Sequence, residues 1–139
     1  MIQPKRLSDR LSVMPQIDPD DLQELADAGF RSVVSNRPDG EEDGQPSWTE
    51  IEHAARAAGM EARHIPVRPG AITNGDIARF AQALEQMPAP VVAFCRTGTR
   101  SATLWALSNK DARSAEDLIH TAADAGYDLS SLRDRLNLD

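Results

Sequence analysis

The sequence predicts an α/β protein in which a short, mostly parallel sheet is flanked by helices. Short apolar runs of strand length alternate with segments that carry helix-capping signals, which is the pattern of strands connected by helices. Glycine ends three of the helical segments, at Gly29, Gly59 and Gly126, as is common at a helix C-terminus. With 139 residues, the chain is predicted to form a single domain over residues 1–139.

The first third of the chain is predicted to contain two strands and one helix. Residues 4–13 carry a weak strand or hairpin pattern, and residues 30–35 have the pattern of a buried strand. Between them, Asp18 is the predicted N-cap of a helix. A turn at residues 36–40 leads into an acidic loop, residues 41–46, which we expect to be solvated.

The remainder of the chain is predicted to continue the alternation of helix and strand. Two capping boxes, Ser47 with Glu50 and Thr73 with Asp76, indicate helix starts on either side of a strand at residues 60–67. The other predicted elements are a strand at residues 91–94, a helix that includes residues 102–107, a helix capped by Ser114 and a short terminal helix around residues 131–136.

Composition excludes several classes of function. The net charge of −7 argues against nucleic acid and anionic membrane surfaces as partners. A single cysteine excludes an internal disulfide and a multi-cysteine zinc site, and the three histidines lack ligand spacing, so we expect neither a metal nor a cofactor. No apolar leader or membrane-spanning segment is evident, which predicts a soluble, cytoplasmic protein.

The only cysteine lies at the junction of a predicted strand and a predicted helix. It begins the segment Cys95-Arg96-Thr97-Gly98-Thr99-Arg100-Ser101. Backbone N–H groups and a helix N-terminus at such a turn suit an anion and favour the thiolate, which is the nucleophilic form. We therefore predict Cys95 as a thiolate nucleophile, with Arg96 and Arg100 nearby to favour the thiolate, and residues 96–99 as anion-binding. A buried structural cysteine is the alternative interpretation.

Three loops are expected to meet at the carboxyl edge of the parallel sheet, where ligands bind in such folds. They are residues 36–40, 68–73 and 95–101. Their convergence would make Asn36, Arg37, Asp39 and Arg68 pocket residues, although an Asx-type turn also explains the first three.

Two of these segments, Asn36-Arg37-Pro38-Asp39-Gly40 and the Cys95 loop, carry a family resemblance. Supporting matches lie at residues 7–16 and 65–67, so nearly the whole chain is covered. The chain resembles the beta-lactamase-hydrolase-like, phosphatase-like domain family, which is also classed as a sulfurtransferase family. The resemblance implies a protein-tyrosine-phosphatase-like fold.

The sequence departs from that of true phosphatases at three places. Their signature has five residues between cysteine and arginine, whereas four separate Cys95 from Arg100, and their cysteine follows a histidine, where this chain has Phe94. Their general acid, an aspartate on the loop after the strand that ends here at Ile65-Pro66-Val67, has no match, because this loop reads Arg68-Pro69-Gly70. Asp76 is better explained as a helix cap. Without a proton donor, ester hydrolysis loses about 10²- to 10⁴-fold.

The shorter loop resembles the rhodanese loop, in which an aromatic residue precedes Cys-Arg-x-Gly-x-Arg-Ser. This resemblance implies a sulfurtransferase, in which Cys95 takes sulfur from a small-molecule sulfane sulfur donor, holds it as a persulfide and passes it to an acceptor thiol. It also implies that Arg100 and the loop amides hold the anionic donor and that Ser101 hydrogen-bonds the Cys95 thiolate. The alternatives are a cysteine-dependent phosphatase acting on phosphotyrosine or small phosphoesters, and a non-catalytic anion-binding or redox-sensing module. The sequence leaves the oligomeric state open.

Overall fold

A computed structural model describes residues 2–138 and contains one five-stranded sheet with helices on both faces. The strand order is β1-β2-β5-β3-β4; β1 is antiparallel to β2, and the other neighbouring strands are parallel. The strands are β1 (Lys5–Arg6), β2 (Leu11–Met14), β3 (Ser32–Ser35), β4 (Glu61–His64) and β5 (Val91–Phe94). The predicted α/β class and the mostly parallel sheet are confirmed.

Six α-helices connect and follow the strands within the described residues. They are α1 (Asp21–Asp27), α2 (Trp48–Ala57), α3 (Asn74–Gln86), α4 (Thr99–Ser108), α5 (Ala115–Asp124) and α6 (Arg133–Leu136), the last preceded by a 3₁₀ turn at Ser130–Leu132. Both predicted capping boxes form, so α2 and α3 each begin where the local sequence indicates.

The predicted cap of the first helix is wrong. The Asp18 carbonyl accepts a hydrogen bond from the Asp21 N–H at 2.9 Å, which closes a turn before the helix, and the N-cap is Asp20, without a side-chain cap bond. The Asp21 carboxylate instead accepts the Asp18 N–H at 2.8 Å. The helix therefore begins later than the Asp-Pro signal suggests.

Strand β5 is the centre of the core because its side chains alternate between two packed layers. Val91 and Ala93 lie in the cluster that contains residues of α3, α4 and α5, whereas Val92 and Phe94 lie in the cluster that contains residues of α1 and α2. All four are buried, and each larger one contributes about 1.5–3 kcal/mol by leaving water. The residue that follows this strand, Cys95, thus has a rigid support.

The parallel arrangement brings the predicted loops to one edge of the sheet. Ser35 of β3 pairs in register with Phe94 of β5, so Asn36 and Cys95 follow neighbouring strand ends. The Asn36 N–H donates to the Phe94 carbonyl at 2.8 Å and extends this alignment. Within residues 2–138, no helix is long and apolar enough to cross a membrane.

Candidate active site

Cys95 lies at the end of β5, at the base of the loop that leads into α4. Its side chain is buried, and its Sγ accepts the backbone N–H of Gly98 at 3.0 Å. This N–H lies in position to hydrogen-bond a negative charge on the sulfur. Strand β5 thus fixes the backbone of Cys95, and the loop that follows fixes its sulfur atom.

Gly98 has two reasons to be glycine. Its φ is +98°, in the left-handed region that side chains rarely adopt, and it is the N-cap of α4. A Cβ at this position would also lie 2.2 Å from the hydroxyl oxygen of Tyr127, which donates a hydrogen bond to the Thr97 carbonyl at 3.2 Å. Tyr127 therefore packs directly on the loop and holds the Thr97 carbonyl.

The pKa of Tyr127 is raised, first by burial and then by the negative charge of Cys95. Its hydroxyl thus stays protonated as a donor at neutral pH. Because this residue lies beyond the helix end at Gly126, no local pattern in the sequence linked it with the cysteine.

The N-terminus of α4 offers donors to an anion. The Ala102 N–H bonds to the Gly98 carbonyl at 3.0 Å, whereas the N–H groups before it belong to the first turn, which has no intrahelical acceptors. The Thr99 N–H is satisfied by the Thr97 hydroxyl at 3.3 Å. The N–H groups of Arg100 and Ser101 are the helix donors that suit a negative charge carried on or above Cys95.

Arg100 forms a two-pronged ion pair across the sheet edge. Its Nη1 and Nη2 donate to the two carboxylate oxygens of Glu41 at 2.7 and 2.9 Å, and Nη1 also donates to the Val67 carbonyl at 3.1 Å. The side chains are 10% and 21% exposed, respectively, which shields the pair from water. The guanidinium plane is thereby fixed beside the loop.

Residues 41–44 are exposed, as predicted for the acidic loop, but the Glu41 side chain is only 21% exposed and pairs with Arg37 and Arg100. The pKa of Glu41 is lowered, chiefly by the Arg100 hydrogen bonds and, against the opposing effect of burial, also by Arg37. The pKa of Glu42 is lowered by Arg37 and by the charge of Arg96. Both carboxylates therefore stay ionised at neutral pH.

Arg37 is a buried support for this acidic loop. Its guanidinium donates to Glu41 at 2.8 Å, to Glu42 at 2.6 Å and to the Gln16 side-chain oxygen at 3.0 Å. Burial alone would lower the pKa of Arg37, but the two carboxylates outweigh it and the pKa is raised. Gln16 also donates its backbone N–H to the Arg96 carbonyl at 3.2 Å, so the support reaches the Cys95 loop.

Ser101 has a different partner from the one predicted. Its hydroxyl donates to the Asn36 side-chain oxygen at 2.7 Å, and the Asn36 amide in turn donates to the Ile65 carbonyl at 2.9 Å. With its single proton committed there, Ser101 does not donate to the Cys95 thiolate. The pair instead ties the start of α4 to the ends of β3 and β4.

Of the other predicted pocket residues, two are buried and hold the Cys95 loop and its neighbours in place, and two lie away from the loop. Asn36 and Arg37 are buried behind the loop and hold its neighbours. Asp39 is exposed and accepts the Trp48 N–H at 2.8 Å, so it serves the start of α2. Arg68 is exposed, and only the next residues, Pro69 and Gly70, line the cleft beside the loop. Arg37, Arg96 and Arg100 are joined through Glu41 and Glu42, whereas Arg68 is not among the residues that line the cleft.

That cleft has a volume of about 430 Å³. None of the described residues that line it is acidic. The lining residues are Pro69, Gly70, Ile72, Arg96, Thr97, Thr99, Arg100, Thr103, Leu132 and Arg135. Asp76 turns away to cap α3, where its pKa is lowered mainly by the Thr73 backbone N–H. Within residues 2–138, no three His, Cys, Asp or Glu side chains gather as metal ligands.

A family model described as the beta-lactamase hydrolase-like protein, phosphatase-like domain, matches residues 4–112. A beta-lactamase hydrolase-like protein from Agrobacterium fabrum is 43% identical over 102 residues, which cover 73% of this chain and 24% of the relative. The chain thus spans about a quarter of the length of that relative.

Solved structures agree with this relationship. A protein from Neisseria meningitidis, described as a candidate phosphatase, has a TM-score of 0.88 and is 33% identical, with 96% of this chain and 95% of that chain covered. A kinase associated phosphatase has a TM-score of 0.73 at 16% identity, covering 99% of this chain and 92% of that chain. At that identity the likeness shows the fold alone, which is the predicted phosphatase-like one.

Proposed function

The chain belongs to the phosphatase-like domain family of beta-lactamase hydrolase-like proteins, and we propose that within this phosphatase-type fold it transfers sulfane sulfur through a persulfide on Cys95. One observation carries the proposal. The carboxylates that meet the loop arginines, Glu41 and Glu42, are ionised, and the described lining of the cleft contains no acid. Among the described residues, the site therefore has a thiol nucleophile and N–H groups that can bind an anion. It has no carboxyl group placed to give a proton to a leaving group.

The chemistry of the leaving group explains why this matters. Cleavage of an alkyl phosphoester releases an alkoxide, which needs a proton in the transition state. Attack of the Cys95 thiolate on the outer sulfur of a donor forms one S–S bond and breaks another. The electron pair then leaves on a thiolate or on sulfite, which are stable anions at neutral pH. An acceptor thiolate next attacks the same outer sulfur and regenerates Cys95.

The geometry supports each step with residues of this chain. The Gly98 N–H, 3.0 Å from Sγ, stabilises the thiolate before attack and after release. The first-turn N–H groups of α4 hold the negative charge of the persulfide. Arg100, fixed by Glu41 and the Val67 carbonyl, keeps a positive charge beside the loop throughout. No metal or cofactor enters this scheme.

Cysteine-dependent hydrolysis of phosphoesters is the second candidate, and the comparisons favour it over sulfur transfer. The family description names a phosphatase-like domain, and the two solved structures are described as phosphatases. Phosphatases of this fold share the thiolate nucleophile and the arginine, so the two candidates differ in substrate and proton donor, with the same Cys95 in both.

Parallel assays separate the candidates. We expect the rate of sulfur transfer from thiosulfate to a small thiol to exceed the rate of aryl-phosphate hydrolysis at equal concentrations, with weak inhibition by vanadate. Cys95→Ser should abolish both reactions and controls for contaminants. Rapid aryl-phosphate hydrolysis with tight vanadate inhibition and no sulfur transfer would make the phosphatase the function of the site.

A further inference from the structure

The cleft beside the Cys95 loop is larger than an inorganic donor requires. Its volume of about 430 Å³ lies in the range of small-molecule sites, whereas thiosulfate or phosphate would fill only the part directly over the loop. The rest of the space is walled by two chemically distinct surfaces. One is apolar and one is cationic.

The apolar wall is formed by Pro69, Ile72 and Leu132. Ile72 and Leu132 are partly buried and pack on the core cluster of α3, α4 and α5, so one side of each is supported and the other faces the cleft. A wall of this kind favours the hydrocarbon part of an organic molecule over a hydrated inorganic ion.

The cationic wall contains Arg96 and Arg135. Arg96 is also paired with Glu42 at 3.3 Å, whereas Arg135 comes from α6. In a chain of net charge −7, a cleft with arginines and no described acid in its lining favours an anion.

We propose that this cleft is a subsite for the organic part of the sulfur donor or acceptor, and that Leu132 and Arg135 select a thiol or persulfide with a short apolar body and a carboxylate. This inference rests on the proposed function for the transferred atom. Both residues lie outside residues 4–112, which the family model matches, whereas the rest of the cleft lining lies within that range.

The test uses two aromatic disulfides that differ in charge. One is dithiobis-nitrobenzoate, whose rings carry carboxylates, and the other is neutral dithiodipyridine. In each reaction the Cys95 thiolate attacks one sulfur, a mixed disulfide forms, and the electron pair leaves with the aromatic thiolate, whose absorbance reports the rate. The ratio of the two second-order rate constants measures recognition of the carboxylate.

Arg135→Gln should lower that ratio about threefold to fivefold, the size of one partly exposed ion pair. Arg133→Gln is the matched control, because it removes the same charge from the same helix at a residue paired with Glu116. The control should leave the ratio unchanged. Equal changes in both variants, or no change in either, would overturn the charge-recognition claim.

Leu132→Ser tests the apolar wall. It should slow both aromatic disulfides while leaving alkylation of Cys95 by the much smaller iodoacetamide unchanged, which also shows that the site is intact. Equal slowing of iodoacetamide would overturn the claim that Leu132 contacts the organic body. These rates need no persulfide, so failure of sulfur transfer and failure of the subsite give different results.

Discussion

At the scale of single residues, Arg100 connects the Cys95 loop with the acidic loop that follows β3. It uses both terminal guanidinium nitrogens on Glu41 and one of them on the Val67 carbonyl. A planar fork can satisfy these acceptors together, whereas the ammonium of lysine is a point charge with a different geometry. The position of the positive charge therefore depends on the shape of the side chain as well as on its sign.

We expect Arg100→Lys to reduce sulfur transfer by about tenfold or more while the protein remains folded. The measurement is the steady-state rate with thiosulfate beside a thermal melt of each variant. Arg79→Lys is the control, because Arg79 is an exposed arginine that pairs with Asp76 at the start of α3. Full activity of Arg100→Lys would show that sulfur transfer does not depend on the paired guanidinium of Arg100.

At the scale of elements, the site lies where β5, the Cys95 loop and α4 meet. The segment after α5 packs on this loop. The loop bends at Gly98, and Tyr127 packs against that bend. The hydrogen bonds of the loop are thus set by an element that lies 30 residues away in sequence. Rigid placement of this kind is what a small active site requires.

We expect Gly98→Ala to lower the free energy of unfolding and to slow alkylation of Cys95. Positive φ alone costs about 1–3 kcal/mol, and the new Cβ would clash with the Tyr127 hydroxyl. Gly44→Ala is the matched control, because Gly44 has φ +81° and nothing within 4 Å of the added Cβ. Chemical denaturation and iodoacetamide kinetics measure both effects.

The excess loss in Gly98→Ala over Gly44→Ala should be relieved when Tyr127→Ala is added. Double-mutant analysis isolates the contact between the two positions. Equal losses in Gly98→Ala and Gly44→Ala, with unchanged alkylation rates, would contradict a role for Tyr127 in holding the loop.

The elements that the sequence predicted correctly are those with local signals. The capping boxes at Ser47 and Thr73 form because their partners lie three residues away, and β5 is evident because four apolar residues precede Cys95. The predicted N-cap at Asp18 was wrong because the segment contains several aspartates, each of which is a possible N-cap. A turn closed by the Asp18 carbonyl precedes the helix, so the N-cap is Asp20.

The contacts that the sequence could not reveal are distant pairs. Glu41 and Arg100 are 59 residues apart, and Asn36 and Ser101 are 65 apart. The parallel sheet that joins them was predicted, and it placed the two loops at one edge. The acidic segment directly after the turn at residues 36–40 was therefore the available signal for Glu41, but no spacing rule determines which carboxylate pairs with which arginine.

At the scale of the whole molecule, the ion pairs of the sheet edge link folding to pH. The pKa of Glu41 is lowered in the folded protein, chiefly by Arg100. A lowered carboxyl pKa contributes stability that is fully present above the unfolded value of about 4.3 and is lost as the pH falls through the folded value. The edge should therefore weaken in acid and remain intact at neutral pH.

We expect the difference in unfolding free energy between the unmodified protein and Glu41→Gln to be largest near neutral pH and to shrink below about pH 4. Urea denaturation at several pH values measures it. Glu61→Gln, at an exposed position of β4, is the control and should show a difference that does not vary in this way. A constant difference for Glu41→Gln would mean that the ion pair does not contribute to folding stability.

The most direct measurement of the central claim is the intact mass of the protein after incubation with thiosulfate and again after addition of a reduced thiol. The account predicts that one sulfur atom is added, that the thiol removes it, and that Cys95→Ser never acquires it. A protein that keeps its original mass at every step while hydrolysing aryl phosphates would contradict sulfur transfer and make Cys95 the nucleophile of a phosphatase.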